Sequence, residues 1–405
     1  MHSTDISGLT EGTLTQADGT PLLLPASSAS SSVQRTDGRM SPRSSANLKA
    51  FRRFFRMVLR GLPVIKVLYL SGPLAALFIA PAIFSGDIRD SDRVSVRGPR
   101  LHNLSINAVS ALADAEKQGN KMNFIEDPAK RTLTIMDDGR PVLTYRFGNQ
   151  LKEGVDPKFA RSSYIHPLFS LDGRRLTDDF PADHVHHHGL FWGWPVVRVR
   201  GQTTSNWEVG IPSLRQHFVR WLTRGAEDGL AVLSVENSWK LGDAEIVAQE
   251  IVTIRVHPAD SVGRAIDIEL LVTAVGGPLE LQGTPDQNKG YGGLCFRSAP
   301  LLKGATMTTD QGPLKEDVVN TPFLWADIST AELGVAVFAP PGHPGAPVRW
   351  LIRNSYAGVI NPCWPGLKPV TLSPGRPLQL RYRIYIHRGN ATAGKVAEEY
   401  GLSIR

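Results

Sequence analysis

Residues 178–194 read DDFPADHVHHHGLFWGW, which gathers three aspartates, four histidines and two tryptophans into seventeen positions. Imidazole takes up and releases protons near neutral pH, and a carboxylate beside it fixes which nitrogen carries the proton. On that chemistry His186 or His187 is a general base and Asp183 its partner. The same residue types also suit a metal. If 184–188 is extended, His184, His186 and His188 project to one side, and His184 and His186 with an aspartate would hold one divalent transition metal. A third reading gives recognition to the aromatic rings: Trp192 and Trp194 offer flat apolar faces for a sugar ring, and Gly189 and Gly193 let backbone approach a ligand closely.

A second stretch, GTPDQNKGYGGLCFR at 283–297, adds polar groups in a glycine-rich connection. Lys289 and Tyr291 are types that serve as general acids or bases when desolvated, and Asn288 and Arg297 can hydrogen-bond a substrate, as can His166 upstream. The glycine spacing matches neither a phosphate loop nor a dinucleotide fingerprint. Shared composition leads us to expect the two stretches to meet.

Strands must position them. With 41% hydrophobic and 20% charged residues the chain can build a substantial core, and 38 glycines and 29 prolines interrupt it with turns. TLTIM and PVLTYRF flank DDGR over 132–147 and read as a hairpin with Gly139 in the turn. Further β-branched and aromatic runs lie at 196–200, 217–222, 230–241, 245–257, 264–274, 333–339 and 378–387. In the last, Leu378, Leu380, Tyr382, Ile384 and Ile386 alternate with Gln379, Arg381, Arg383 and Tyr385, which predicts one buried and one wet face. Helical pattern is confined to 106–118 and 392–402. Strands so numerous need a second sheet over their apolar face, so 125–405 is expected to be a mainly β domain: a large antiparallel β-sandwich of supersandwich type with one or two peripheral helices. Its two cysteines, Cys295 and Cys363, form no disulfide framework and are expected to be buried and free.

The net charge of +7 is concentrated at the N-terminus: residues 1–86 hold nine basic and four acidic side chains, and the remainder holds 36 and 34. A near-balanced domain lacks the footprint of a nucleic-acid binder. Residues 67–84 form an uncharged run of eighteen after a basic flank, which reads as a signal peptide or signal-anchor spanning 51–86. The domain is then membrane-anchored outside the cytoplasm, or secreted or periplasmic after cleavage. Residues 1–50 read as a disordered Ser/Thr-rich tail and 87–124 as a linker with a helix.

Taken in order, YIHPLFSLDGRRLTDDFPADHVHHHGLFWGW, NWE, NKGYGGLCFR, WAD, GVAVFAPPGHP and LSPGRPLQLRYRIYIHRG resemble the PmoA-like family of bacterial proteins of unknown function, over about residues 125–400. The inherited name points to a methane monooxygenase subunit with several membrane spans. This chain has one apolar segment and a β domain, so that activity is not carried over. The resemblance implies arginine at the position of His188, which could not ligate a metal; it favours His184, His186 and His187. The expected function is an enzyme acting on a carbohydrate or sugar derivative by histidine acid/base chemistry. A metal-dependent hydrolase or oxygenase and a non-catalytic carbohydrate-binding protein stay open beside it.

Overall fold

The computed structural model describes residues 122–355 and 358–403. The tail, the apolar run at 67–84 and the helix expected at 106–118 lie outside these residues. Among the described residues no helix is long and apolar enough to cross a membrane.

The first hairpin forms as its sequence dictates. Thr132–Asp137 pairs with Arg140–Arg146 around Asp138 and Gly139, both at positive φ (46° and 75°), the type I′ geometry that matches strand twist. The hairpin extends into a nine-stranded antiparallel sheet in the order Met122–Asp127, Thr132–Asp137, Arg140–Arg146, Tyr164–Leu168, Leu190–Gly193, Gly293–Arg297, Val359–Cys363, Arg349–Arg353 and Val318–Pro322. A second nine-stranded sheet carries the longest strands, Leu214–Glu227, Leu230–Leu241, Glu245–Val256, Gly263–Ala274 and Leu378–Arg388. A four-stranded sheet of Val370–Leu372, Leu279–Gln282, Val196–Val199 and Gln202–Thr204 completes the set.

Inward residues of both large sheets, among them Leu133, Ile165, Trp192, Leu294, Val235, Ile254, Ile268 and Ile384, share one apolar core. Among the acidic side chains buried in the protein, Glu250 sits at the junction of the two layers. Glu250 is fully buried and accepts hydrogen bonds from Trp239 Nε1 (2.8 Å), Asn237 Nδ2 (3.0 Å), Ser163 Oγ (3.1 Å) and Trp192 Nε1 (3.2 Å). Burial raises its pKa, and these four donors work in the opposite direction. Because Trp192 and Ser163 come from the first sheet and its edge while Trp239, Asn237 and Glu250 come from the second, the carboxylate ties the layers together.

Strand Leu378–Arg388 departs from its expected alternation at Tyr385. The helix Val396–Ser403 lays Val396 and Tyr400 on that face, and with Trp325, Ala336 and Phe338 they bury the ring. The cysteines are free and buried, and burial pushes the Cys363 thiol up to about 12.

Candidate functional site

Register places the site. Gly293–Arg297 pairs with Leu190–Gly193, setting Cys295 opposite Phe191 and Leu294 opposite Trp192. Period-two alternation then sends Leu190, Trp192, Leu294 and Phe296 into the core, while Phe191, Cys295 and Arg297 point to the outer face of the first sheet. The two sequence stretches are thereby neighbours, and the outer face is where they meet. Gly189 and Gly193 make a different close approach from the one expected: a Cβ would lie 2.3 Å from the carbonyl oxygen of Ile165 at Gly189, and 2.6 Å from that of Asn206 at Gly193. Both glycines admit neighbouring protein backbone.

Residues 184–188 are turned, not extended. His184 N donates to Pro181 O at 3.2 Å and His187 N to His184 O at 2.8 Å, so two successive turns replace the strand. The alternate-side arrangement of His184, His186 and His188 is lost with it. His184, His186 and His187 converge instead, with ring centroids 4.8 Å apart for 184 and 187, 4.8 Å for 186 and 187, and 5.8 Å for 184 and 186. His188 turns away, bonding Asp179 at 2.8 Å between the Tyr164 and Phe180 rings.

The three converging histidines line a cleft of about 220 Å³ with Trp207, Glu208, Lys289, Tyr291, Leu351, Arg353 and Val359. Small-molecule sites usually enclose about 300–1,000 Å³, so this one suits a small molecule or the end of a longer ligand. Trp207 and Tyr291 form an aromatic wall, their ring centroids 5.0 Å apart, backed by Phe191 at 4.9 Å from Trp207. Lys289 is paired with Asp286 at 2.9 Å and Arg353 with Asp317 at 3.3 Å, which tempers the positive charge of the lining.

Behind the histidines lies Arg297, only 2% exposed. Its Nη2 donates to both oxygens of Asp183 at 2.7 and 2.8 Å, and its Nη1 donates to His187 Nδ1 at 3.3 Å. Asp183 Oδ2 also accepts from His184 Nδ1 at 3.0 Å. Burial opposes the Asp183 charge, but the Arg297 and His184 hydrogen bonds prevail and hold its carboxyl at about 2. Burial, then the neighbouring histidines and Arg297, drives His187 down to about 2; burial drives His186 down to about 4. Both rings are neutral at pH 7.

Several expected site residues lie elsewhere. Trp192 and Trp194 are 0% exposed, the first bonded to Glu250 and the second donating through Nε1 to Trp364 O at 3.0 Å. They are core, and the aromatic lining of the cleft is Trp207 and Tyr291, with the fully buried Phe191 packed behind Trp207. His166 is buried against Thr177 Oγ1 at 3.0 Å, away from the cleft lining, and Asn288 is exposed at the tip of the 3₁₀ turn Asp286–Asn288. Arg297 contacts Asp183 and His187, so the substrate contact expected of it becomes support from behind. Sequence reasoning missed Trp207, Glu208 and Arg353 as lining; the NWE motif was the only signal for the first two, and Arg353 had none. As for a metal, the His184 and His186 rings meet edge to face and Asp183 is committed to Arg297. Among the described residues no three His, Cys, Asp or Glu side chains are grouped to hold a metal ion.

Residues 132–401 match the family of unknown function DUF6807. The chain belongs to that family. No curated protein matches it in sequence. Similar solved structures include galactose 1-epimerase from Lactobacillus acidophilus NCFM, at 10% identity and TM-score 0.36, covering 67% of this chain and 100% of that one. The Slr1438 protein from Synechocystis sp. PCC 6803 is similar at 10% identity and TM-score 0.35, covering 67% of this chain and 96% of its own. At such scores the likeness carries no argument about chemistry, and the DUF6807 cleft must be judged by its own side chains.

Proposed function

We propose that this DUF6807 chain is an enzyme that acts on a carbohydrate or sugar derivative by histidine acid/base chemistry in the cleft of His184, His186 and His187. The observation that carries this reading is the Asp183–His184 hydrogen bond of 3.0 Å at the mouth of a cleft walled by Trp207 and Tyr291. A carboxylate that accepts from Nδ1–H leaves the lone pair on Nε2, which makes His184 the general base. His186 and His187, pushed to about 4 and about 2, are too weakly basic for that task at neutral pH. Asp183, held at about 2, is ionised and orients His184 without itself donating a proton. Tyr291 and Lys289, which line the same cleft, are the candidate acids. The aromatic wall would pack on the C–H face of a sugar while the imidazoles bond its hydroxyls. With the basic-flanked run at 67–84 read as export or anchoring, the substrate would be met outside the cytoplasm.

The test is a screen of the full chain against reducing sugars, glycosides and keto-sugars, followed by NMR for turnover and for hydrogen exchange. His184→Gln is expected to lower turnover about 100-fold or more with an unchanged far-UV spectrum. Undiminished turnover would remove His184 from the chemistry, and ligand binding with no turnover in the wild type would replace an enzyme by a carbohydrate-binding protein.

A further inference from the structure

Two neighbouring histidines in the cleft stand under different hydrogen-bonding instructions. His184 faces a carboxylate, which can only accept, so its Nδ1 carries the proton and Nε2 the lone pair. His187 faces a guanidinium, which can only donate, so its Nδ1 carries the lone pair and Nε2 the proton. The rings are stacked, 4.8 Å between centroids at 20°, and both line the cleft. One side chain touches both partners: the fork of Arg297 holds Asp183, the partner of His184, through Nη2 and His187 through Nη1.

We infer that Arg297 is a positioning residue that fixes opposite tautomers on His184 and His187, so that the stacked pair offers one acceptor nitrogen and one donor N–H to the same ligand. The inference deepens the acid/base reading of the cleft and rests on it for its chemical meaning. It also narrows the substrate class to molecules that present a hydroxyl to be bonded by a base next to an oxygen that receives a hydrogen bond, as a vicinal diol, an α-hydroxy carbonyl or a hemiacetal does. An Arg side chain suits this role because its planar fork fixes two directions at once; a lysine ammonium is a single rotating point charge. His187 thus acts as a donor N–H, and the base is its neighbour.

The experiment reads tautomers, not turnover: ring 15N NMR of the full chain, wild type against Asp183→Asn and Arg297→Lys. In the wild type the proton is expected on Nδ1 of His184 and on Nε2 of His187. In Asp183→Asn the remaining carboxamide oxygen is drawn to the buried guanidinium, which turns the amide NH₂ toward His184. That ring should reverse to the Nε2–H form while His187 keeps its own. Arg297→Lys should leave His187 without a fixed preference. Asp183 is 42% exposed, so its variant keeps the test open even if a change at the buried arginine weakens the fold. A guanidinium that only tethers the turn at 181–187 would loosen that turn without reversing a ring. The same tautomer on both wild-type rings, or an unchanged His184 in Asp183→Asn, would overturn the inference. If the tautomers behave as expected and no sugar is turned over, the acid/base reading fails and the positioning role stands.

Discussion

At the scale of single residues, the FWGW segment separates packing from recognition. Phe191 and Trp192 are adjacent in sequence and sit on opposite faces of one strand, the first beside Trp207 on the cleft side and the second in the core on Glu250. Replacing Trp192 and replacing Trp207, the ring packed on Phe191, should fail in different ways. Trp192→Ala removes a wholly buried ring and one of the four donors to Glu250, and large aromatic truncations cost about 3–5 kcal/mol. Trp207→Ala removes a ring that is 3% exposed yet lines the cleft, so it should cost stability as well and in addition weaken ligand binding, which Trp192→Ala should spare. Chemical denaturation and ligand titration of the two variants check this; binding lost equally in both would remove Trp207 from recognition. The meeting of the histidine cluster with Lys289 and Tyr291 was legible in the sequence. The hydrogen-bond partners of the individual imidazoles were not legible, because His187 and Asp183 are held by Arg297, more than 100 positions away in the chain and assigned from sequence to the ligand.

At the scale of elements, charged cross-strand pairs hold the helix to the second sheet. Asp267 and Arg383 are directly opposed in register, bonded at 2.6 and 2.9 Å, and Arg383 reaches Glu399 of the helix Val396–Ser403 at 2.9 Å. Burial disfavours the Asp267 charge, but His257 and Arg383 outweigh it and hold the carboxyl at about 2, below its ordinary 3.8. A depressed carboxylate stabilises the fold above its unfolded pKa and loses that contribution as pH falls toward the folded value. Asp267→Asn should therefore cost about 1–3 kcal/mol at neutral pH, and the difference from wild type should vanish between about pH 4 and 2. Urea titrations at several pH values measure it; a gap constant with pH would mean that the pair contributes through packing. The strand carrying Arg383 also shows what alternation can and cannot reveal. Leu380, Tyr382 and Ile384 were readable as core, since one sheet face repeats every second residue. Tyr385 read as wet because the helix that covers it arrives from a segment with no period in common with the strand. The opposite error occurred at 184–188, where a run of alternating histidines suggested a strand and Pro181 opened a turn instead.

At the scale of the whole molecule, the β-sandwich followed from counting amphipathic strands, but the position of the site did not. Pairing partners such as Leu190–Gly193 and Gly293–Arg297 lie about a hundred residues apart, and only their register decides which side chains face outward. The fold also carries buried histidines that bear on every part of it. His166 rests on Thr177, and His343 accepts from Gly345 N at 3.2 Å beside the Tyr382 ring; burial drives both down to about 4 from the usual 6.5. The unfolded chain then takes up protons from pH 6.5 downward, while the folded one resists until about pH 4. Stability should fall across that window by something on the order of 1 kcal/mol per pH unit for each such group, well before Asp267 begins to titrate. Two acid losses with different onsets are the consequence, one from imidazoles that begins below pH 6.5 and one from carboxylates that begins only below about pH 4. His343→Leu should reduce the first by the share of one ring, His166, His186 and His187 keeping the rest, and leave the second, as read from denaturation midpoints between pH 7 and 3. If the midpoint is level from pH 7 to 5 in the wild type, these rings are already charged in the folded state, and an interior that hydrates two buried imidazoles would also hydrate the cleft, making His186 and His187 stronger bases than their present surroundings allow.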